Sequence, residues 1–587
     1  MKGFPEIRRR RYQPLVIGAL LVALSFTHAG CFIDEPYETY YGQNVVPRSQ
    51  EFRWIDGGLP QTFDPAFAAA PPDTDLVRAI FEGLTDYDPR KLTPLPAVAT
   101  RWESSDEGRI WTFYLRADAR WSNGEAVTAK DFVDSWQRTM KIGNLAPHTD
   151  LLSNIVGAQG ISGSTRKSAA GVGGIKPQRK PEASAPQEAE RLGAEAIGDR
   201  VLRVHLQRPD MNFPALVAHP VFRPVKLKEQ ASMQRIGPPG LVSNGAFLLS
   251  NSEAGRVLLE RADNYWGKND VKLQTVEFVG AENAEAALAA YRAGEVDAVT
   301  NSAFEPLALK LLAPFKDFRR QTYGALTYYS FNASRAPFDD VRVREALAIA
   351  IDRDRLSQGE MGGATEPAKR FLPEVMSGSQ KPVITKSELL DKDDERARQL
   401  LAEAGYPEGK GFPKIRLLIN RNEQQRQVAQ AIASMWRAFL NIETEVVIKN
   451  WDEYAAAIRA GDYDVVRLGM VMQTADEFTN IRIMFQHELQ PADPAGGSPS
   501  PLRSPDERSV GEGSSERKTT SQPVIESEAV ALNELRAMPL YFASSYALVK
   551  PYVVGFDSNV LDAPSLKHVH IDTNWAEQKT GSGNTSK

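Results

Sequence analysis

Cysteine is almost absent from this sequence. Cys31 is the only one among 587 residues. This scarcity excludes an intramolecular disulfide framework, a CxxC redox pair, a cysteine-ligated zinc site and a thiolate-bound cluster. Long hydrophobic runs are missing too, because the longest, LVIGALLVALSF (residues 15–26), falls short of the roughly 20 apolar residues that span a membrane.

Catalytic signatures are also missing. The sequence contains no GxSxG elbow, no GxxxxGK(S/T) loop and no HExxH motif. His487 and Glu488 begin such a string, but Pro491 stands where the second histidine belongs. We therefore predict no catalytic residue, no metal ion and no cofactor. A secreted hydrolase of unrecognised mechanism remains a less favoured alternative.

An excess of basic residues is also absent. The formal net charge is −5, and removal of an N-terminal leader with a net charge of +4 would leave about −9. A mildly acidic chain gains little from counterion release on a phosphate backbone. Nucleic acid is therefore excluded from the expected partners.

The position of the single cysteine suggests its role. A basic segment with Lys2 and Arg8 precedes the apolar stretch, and Ala29 and Gly30 stand directly before Cys31. This order is typical of a secretory signal and resembles a bacterial lipobox, although His28 replaces the usual aliphatic residue. We predict a lipoprotein signal peptide, a diacylated Cys31 and a lipid-anchored protein at the periplasmic or extracytoplasmic face of a bacterial membrane. A free cysteine beside an uncleaved anchor is the alternative.

The remaining chain has room for roughly three packed units. Period-two alternation predicts strands around Trp111 to Leu115 and Leu202 to Leu206, and helical periodicity predicts helices over residues 340–356 and 393–404. A strand at 415–419, a helix at 424–439 and a strand at 443–449 indicate a parallel α/β unit. Segments near 157–190 and 490–526 are rich in Gly, Ser, Pro and charge, and we expect mobile loops there.

Residues 96–138 hold four of the nine tryptophans: Trp102, Trp111, Trp121 and Trp136. Aromatic side chains at this density can form a wall that stacks on a ligand or the core of a small lobe. Burial statistics favour the core.

Three strings lie within this segment: ATRWESSDEG (residues 99–108), WTFYLR (111–116) and RWSNGEAVTAKDFVDSWQR (120–138). They resemble the signature of extracellular solute-binding proteins of family 5, the oligopeptide and dipeptide class of ABC transporters. Further blocks follow in the family's order, among them SNGAF (243–247), LERADNYWG (259–267), FDDVRVREAL (338–347) and LVKPY (548–552).

The resemblance implies an α/β, two-lobed periplasmic-binding-protein fold of type II, in the three-domain peptide-binding class that closes around a central cleft. We divide the chain accordingly into the signal peptide (1–31), a tether (32–51), lobe I (52–85, 200–302 and 538–575), an extra aromatic-rich domain (86–199), lobe II (303–537) and a disordered tail (576–587).

The resemblance also suggests ligand-binding residues. Trp451 and Arg467 match cleft positions of the oligopeptide binders, and Asn244 in the SNGAF block is included with them. Arg467 could bind a ligand carboxylate or pair with Asp462 or Asp464, and Trp451 could equally belong to the core.

The family's aspartate for the ligand ammonium is replaced by Gln473, and an aromatic residue three positions after the arginine is replaced by Met470. We name Asp476 as a candidate substitute for the missing carboxylate.

The function predicted by this resemblance is capture of a peptide or other small solute between two lobes and delivery to an ABC transporter permease. We expect a monomer held at the membrane by its N-terminal lipid. Because Gln473 removes the ammonium contact, the same fold binding a metal chelate, a sugar or a modified peptide is the alternative. A surface scaffold or chaperone role is less favoured.

Overall fold

A computed structural model describes residues 39–158, 192–226, 240–253, 255–376, 390–485 and 524–575. Cys31 with its signal peptide, most of both low-complexity segments and the tail lie outside these residues. Among the described residues no helix combines the length and the apolar character that crossing a membrane requires.

The strands of the described residues are numbered in chain order. They are β1 (Glu51–Asp56), β2 (Thr85–Tyr87), β3 (Pro94–Pro96), β4 (Ala99–Ser105), β5 (Ile110–Leu115), β6 (Ala194–Ala196), β7 (Val201–His205), β8 (Phe247–Glu253), β9 (Arg256–Arg261), β10 (Thr275–Val279), β11 (Ala298–Thr300), β12 (Phe318–Phe331), β13 (Thr365–Pro367), β14 (Ile415–Asn420), β15 (Thr444–Lys449), β16 (Val465–Val471), β17 (Ala537–Val549), β18 (Val553–Val554) and β19 (His570–Ile571).

The α-helices follow the same convention. They are α1 (Asp73–Ile80), α2 (Ala129–Ile142), α3 (Phe213–Leu216), α4 (Ala284–Ala293), α5 (Pro306–Leu312), α6 (Val341–Ile349), α7 (Arg353–Arg355), α8 (Asp394–Glu403), α9 (Glu423–Leu440), α10 (Trp451–Ala460), α11 (Glu477–Phe485) and α12 (Glu528–Glu534).

One sheet of eleven strands runs through the described part of the molecule, in the order β15-β14-β16-β12-β17-β11-β1-β10-β9-β8, with β13 also paired to β17. Strands β12 and β17 are antiparallel and pair over most of their length. At one end of the sheet β1 runs parallel to β10 and β11, and at the other β14 runs parallel to β15 and β16. The two long strands therefore connect two α/β lobes, and their register shifts between Thr322 and Leu326.

Each lobe has its own hydrophobic core. The core of lobe I, the half with β1 and β8 to β11, contains Trp54 and extends to Phe113 of a separate four-stranded sheet, β4-β5-β7-β6. The core of lobe II, the half with β14 to β16, surrounds Trp436 and Leu347. Helices α6, α8 and α9 cover lobe II because each presents a buried apolar face to that core.

The tryptophan-rich segment packs mainly as core. Trp121 and Trp136 are fully buried and Trp111 is 5% exposed. The indole N–H of Trp136 donates to the carbonyl of Phe222 at 2.8 Å, which satisfies the one polar group of this side chain. The preference for core over a ligand-stacking wall is confirmed for these three side chains.

The predicted parallel unit in lobe II is confirmed, since β14 and β15 pair in parallel and α9 connects them. The helix predicted over residues 340–356 is wrong in its second half, because α6 ends at Ile349. The Asp352 carboxylate accepts the backbone N–H of Arg355 at 2.9 Å and so caps a separate short helix, α7. Buried Arg353 donates to the carbonyl of Pro539 at 2.8 Å, a bond between distant segments that local periodicity does not reveal.

The predicted tether is also wrong for its second half, because residues from Thr39 onward pack against lobe I. The backbone N–H of Tyr41 donates to both carboxylate oxygens of Asp317, at 2.9 and 3.1 Å. The Gln43 N–H donates to the carbonyl of Arg292 at 2.9 Å. These partners lie hundreds of residues away in sequence, so the polar, aperiodic local pattern gave no sign of them.

Candidate ligand-binding site

Strand β16 has one partly unpaired edge. On one side it pairs with β12 from Val465 to Val471. On the other side β14 pairs only with Val465 and Val466, and no other described strand takes over. Backbone N–H and C=O groups on such an edge can add an extended peptide as a further strand.

The guanidinium of Arg467 has no carboxylate partner among the described residues. Asp462 pairs instead with Arg416 at 2.8 Å, and Asp464 lies 3.9 Å from Arg335. Nε of Arg467 is buried without a hydrogen-bond partner in the described part of the chain. The structural ion pair with either aspartate is therefore not present.

The surroundings of Arg467 hold its backbone, and its half-buried side chain has no carboxylate partner among the described residues. The hydroxyl of Tyr454 donates to the carbonyl oxygen of Arg467, and burial raises the pKa of Tyr454 to about 12, so this hydroxyl stays a neutral donor. Gly469 contributes no side chain, and a Cβ there would lie 3.4 Å from Nη2 of Arg467. A planar guanidinium in this setting can bind a carboxylate through two parallel hydrogen bonds.

Trp451 lies close to this edge. It is the first residue of α10, where Asn450 and Glu453 form a reciprocal capping box that fixes the start of the helix. Its side chain is 67% exposed, and its ring centroid lies 5.8 Å from that of Tyr454. The core position considered from the sequence is thus excluded, and the structure brings Trp451 and Arg467 together through Tyr454.

Gln473 follows β16 and contacts lobe I. Its side-chain amide donates to the carbonyl of Val471 at 3.2 Å. Burial, followed by the nearby His148 and Arg78, lowers the pKa of His219 well below its usual value, and a hydrogen bond with Gln473 opposes this shift. The His219 imidazole is therefore neutral, so neither Gln473 nor His219 carries a negative charge at this end of β16.

Asp476 is not brought to the β16 edge. It is 1% exposed, and its carboxylate accepts the backbone N–H of Thr479 at 2.6 Å, in the first turn of α11. Burial and, next, the Asp476 carboxylate raise the pKa of Asp210 to about 7. Asp476 thus caps a helix and faces a second buried acid.

Asn244 is likewise occupied by the fold. Its amide oxygen accepts the backbone N–H of Glu82 at 3.0 Å, and its amide nitrogen donates to the carbonyl of Glu82 at 3.0 Å. With both groups bonded to one buried backbone segment, Asn244 joins two parts of lobe I and is not carried into the candidate site.

Tyr454, Gly469 and His219 were missed from the sequence. Tyr454 follows Trp451 by one helical turn, so the two share a face of α10, and this spacing could have indicated it. The roles of Gly469 and His219 depend on contacts that no local pattern encodes.

The chain is similar to proteins of known family. The model of the bacterial extracellular solute-binding proteins, family 5, matches residues 93–488. The chain belongs to this family. The family 5 protein is 30% identical to the periplasmic murein peptide-binding protein MppA of Escherichia coli, over 85% of this chain and 89% of MppA. It is 29% identical to the E. coli periplasmic oligopeptide-binding protein OppA, over 95% and 98% of the two chains.

A further relative is named a probable deoxycholate-binding periplasmic protein, YgiS of E. coli, which is 28% identical over 86% of this chain and 90% of YgiS. These relatives bind solutes and are not enzymes. The family 5 protein is accordingly a solute-binding protein with the two-lobed type II fold, which confirms the fold and the absence of catalysis expected from the sequence.

Two structures of MppA differ in their likeness to the family 5 protein. The unliganded open form aligns with a TM-score of 0.70, and a second structure of E. coli MppA with 0.58. Both are 26% identical and cover 90% of this chain. The structure described here therefore superimposes better on the unliganded open form than on the second MppA structure.

Proposed function

We propose that this protein captures a peptide or peptide-like solute between its two lobes and delivers it to the permease of an ABC importer. The observation that carries this proposal is the edge of β16 that no described strand pairs beyond Val466, beside the guanidinium of Arg467, which has no carboxylate partner in the described part of the chain. An extended peptide can hydrogen-bond along the edge while a carboxylate of the ligand pairs with Arg467. Exposed Trp451 offers an aromatic surface for a ligand side chain.

Closure requires a ligand that contacts both lobes, because a solute shifts the open–closed equilibrium only by its differential affinity for the two states. In this structure the β16 edge belongs to lobe II. Gln473 follows the edge, and its side chain hydrogen-bonds His219 on the side of lobe I. This continuity supports a ligand path that begins at the edge and ends against lobe I.

The proposal includes attachment to a membrane through acylated Cys31 and work as a monomer. The leader sequence supports the membrane attachment. Two acyl chains on a cysteine anchor a protein far more firmly than a single acyl chain does. Mass spectrometry of the N-terminal peptide, from protein purified out of bacterial membranes, tests it. An unmodified Cys31 thiol would refute the anchor.

The ligand's amino terminus should matter little. Because Gln473 and neutral His219 supply no negative charge, N-acetylation of a tetrapeptide should leave its affinity almost unchanged in calorimetric titrations, whereas C-terminal amidation should weaken it. In Gln473→Asp the free amino terminus should become favoured over the acetylated one. Failure of every peptide to bind below millimolar concentration would refute peptide capture.

A second candidate is a non-peptide ligand such as a metal chelate, a sugar or a modified peptide. Gln473 favours it because no ammonium contact remains, and the relative named for deoxycholate supports a ligand range beyond peptides. Arg467 would bind a carboxylate of either class. Mass spectrometry of small molecules retained by the protein from its own cells separates the two candidates directly.

A further inference from the structure

The segment that follows the proposed lipid site is fastened to one end of lobe I. We call residues 39–43 the N-terminal strap. The backbone N–H of Lys316 donates to the carbonyl of Thr39 at 3.1 Å, and Asp317 accepts the N–H of Tyr41. The ring of Tyr41 stands edge-on to Phe315, with centroids 5.3 Å apart. The strap is thus tied to the loop between α5 and β12.

Gly42 fixes the strap in this position. Its φ is +85°, and a Cβ there would lie 2.5 Å from the Cα and the carbonyl oxygen of Arg292. Any other residue would meet both an unfavourable backbone conformation and a collision with backbone atoms. Gly42→Ala should therefore release the strap without touching the β16 edge.

Helix α5, beside the strap, exposes apolar side chains. Leu307 and Leu311 are one turn apart and 69% and 65% exposed, and Lys310 and Lys316 beside them are exposed as well. We call these four residues the α5 face. Leucines flanked by lysines are typical of surfaces that lie at the boundary of an anionic bilayer.

The chain length outside the structure limits how far this face can lie from the lipid. Residues 32–38 separate Cys31 from Thr39, and the eight Cα–Cα steps span at most about 29 Å when fully extended. Strand β12, from Phe318 to Phe331, is itself about 43 Å long at 3.3 Å per residue. The chain between Cys31 and Thr39 is therefore too short for β12 to stand upright with its lobe II end at the bilayer, whereas it lets the lobe I end lie next to the lipid.

We propose that the α5 face docks on the surface of an anionic lipid bilayer, so that lobe I is the membrane-proximal lobe and lobe II moves relative to the membrane when the cleft closes. This inference rests on the proposed acylation of Cys31. Two independent observations support it: the short chain between Cys31 and the strap, and the exposed leucines with lysines beside the strap.

The test uses the full lipoprotein in vesicles of phosphatidylethanolamine and phosphatidylglycerol. Acylation consumes the only native thiol, so a single introduced cysteine can be labelled with an environment-sensitive NBD fluorophore. Leu311→Cys reports on the α5 face, and Ile448→Cys, 40% exposed on β15 of lobe II, is the matched control. We expect blue-shifted emission and quenching by doxyl-labelled lipids at position 311 and neither at 448. Adding Gly42→Ala should abolish the quenching at 311.

Each remaining result overturns the inference. Suppose that mass spectrometry finds diacylated Cys31. Equal quenching at positions 311 and 448, or quenching at neither, then refutes docking of the α5 face but not the lipid anchor. A blue shift at 311 without doxyl quenching means that protein, such as a second copy of the chain, covers the face instead. An unmodified Cys31 removes the anchor and this inference together.

Discussion

Replacement of Arg467 by methionine tests the charge of the candidate site. The substitution keeps an unbranched side chain and removes the guanidinium. Hydrogen bonds to charged groups contribute about 1.5 to 3 kcal/mol, so a ligand carboxylate that loses them should bind about 10- to 150-fold more weakly. Because no described carboxylate pairs with Arg467, no buried acid among the described residues is orphaned, and the free energy of unfolding should change by less than about 1 kcal/mol.

Calorimetry with a free peptide and its C-terminal amide measures this effect, and urea unfolding measures stability. The amide should bind wild type and Arg467→Met with similar affinity, and Arg467→Lys should recover only part of the binding because an ammonium lacks the planar fork. An equal loss of affinity for acid and amide, or a marked loss of stability, would show that Arg467 supports the fold rather than the ligand.

Three further predictions follow from buried or exposed side chains. Asn244→Ala should lower the free energy of unfolding in urea by about 2 to 5 kcal/mol, because the backbone N–H and C=O of Glu82 lose their partners, and it should leave peptide affinity unchanged. Weaker peptide binding with no loss of stability would contradict this. Because the pKa of Asp210 is raised in the folded protein, the folded state binds a proton that the unfolded state has already lost between about pH 4 and 7. The free energy of unfolding should therefore fall by up to about 1.4 kcal/mol per pH unit over this range. Asp210→Asn should remove this slope and be more stable than wild type at pH 8, and an unchanged slope would refute the assignment. Trp451→Ala should leave the thermal midpoint unchanged and abolish part of the ligand-induced fluorescence change, whereas a lower midpoint would indicate a structural role.

The sequence predicted regular elements well where the signal is local. Helix α9 was expected over residues 424–439 and spans Glu423–Leu440, because a continuous apolar face and the capping Asn422 define it. The candidate ligand-binding residues Trp451 and Arg467 also came from the sequence, but only through resemblance to a family. Whether the side chains of Trp451 and Arg467 are available to a ligand depends on their contacts in the folded protein, which the sequence does not reveal.

Long-range contacts account for the errors. Asn244 was expected at the ligand, yet it bonds Glu82, which lies 162 residues away. Residues of the predicted tether are docked because Tyr41 finds Asp317, 276 residues away. In the sequence, a polar side chain that hydrogen-bonds a distant backbone group cannot be distinguished from a polar side chain that binds a ligand.

Closure of the lobes around a solute should shorten the distance between them. Spin labels on Ile448→Cys in lobe II and Val554→Cys in lobe I, in a Cys31→Ser background, allow this distance to be measured by double electron–electron resonance. We predict a long distance without ligand and a shorter one at saturating peptide, with Arg467→Met needing more peptide for the same change. A ligand that binds by calorimetry while the distance distribution stays the same would contradict closure of the lobes around the solute.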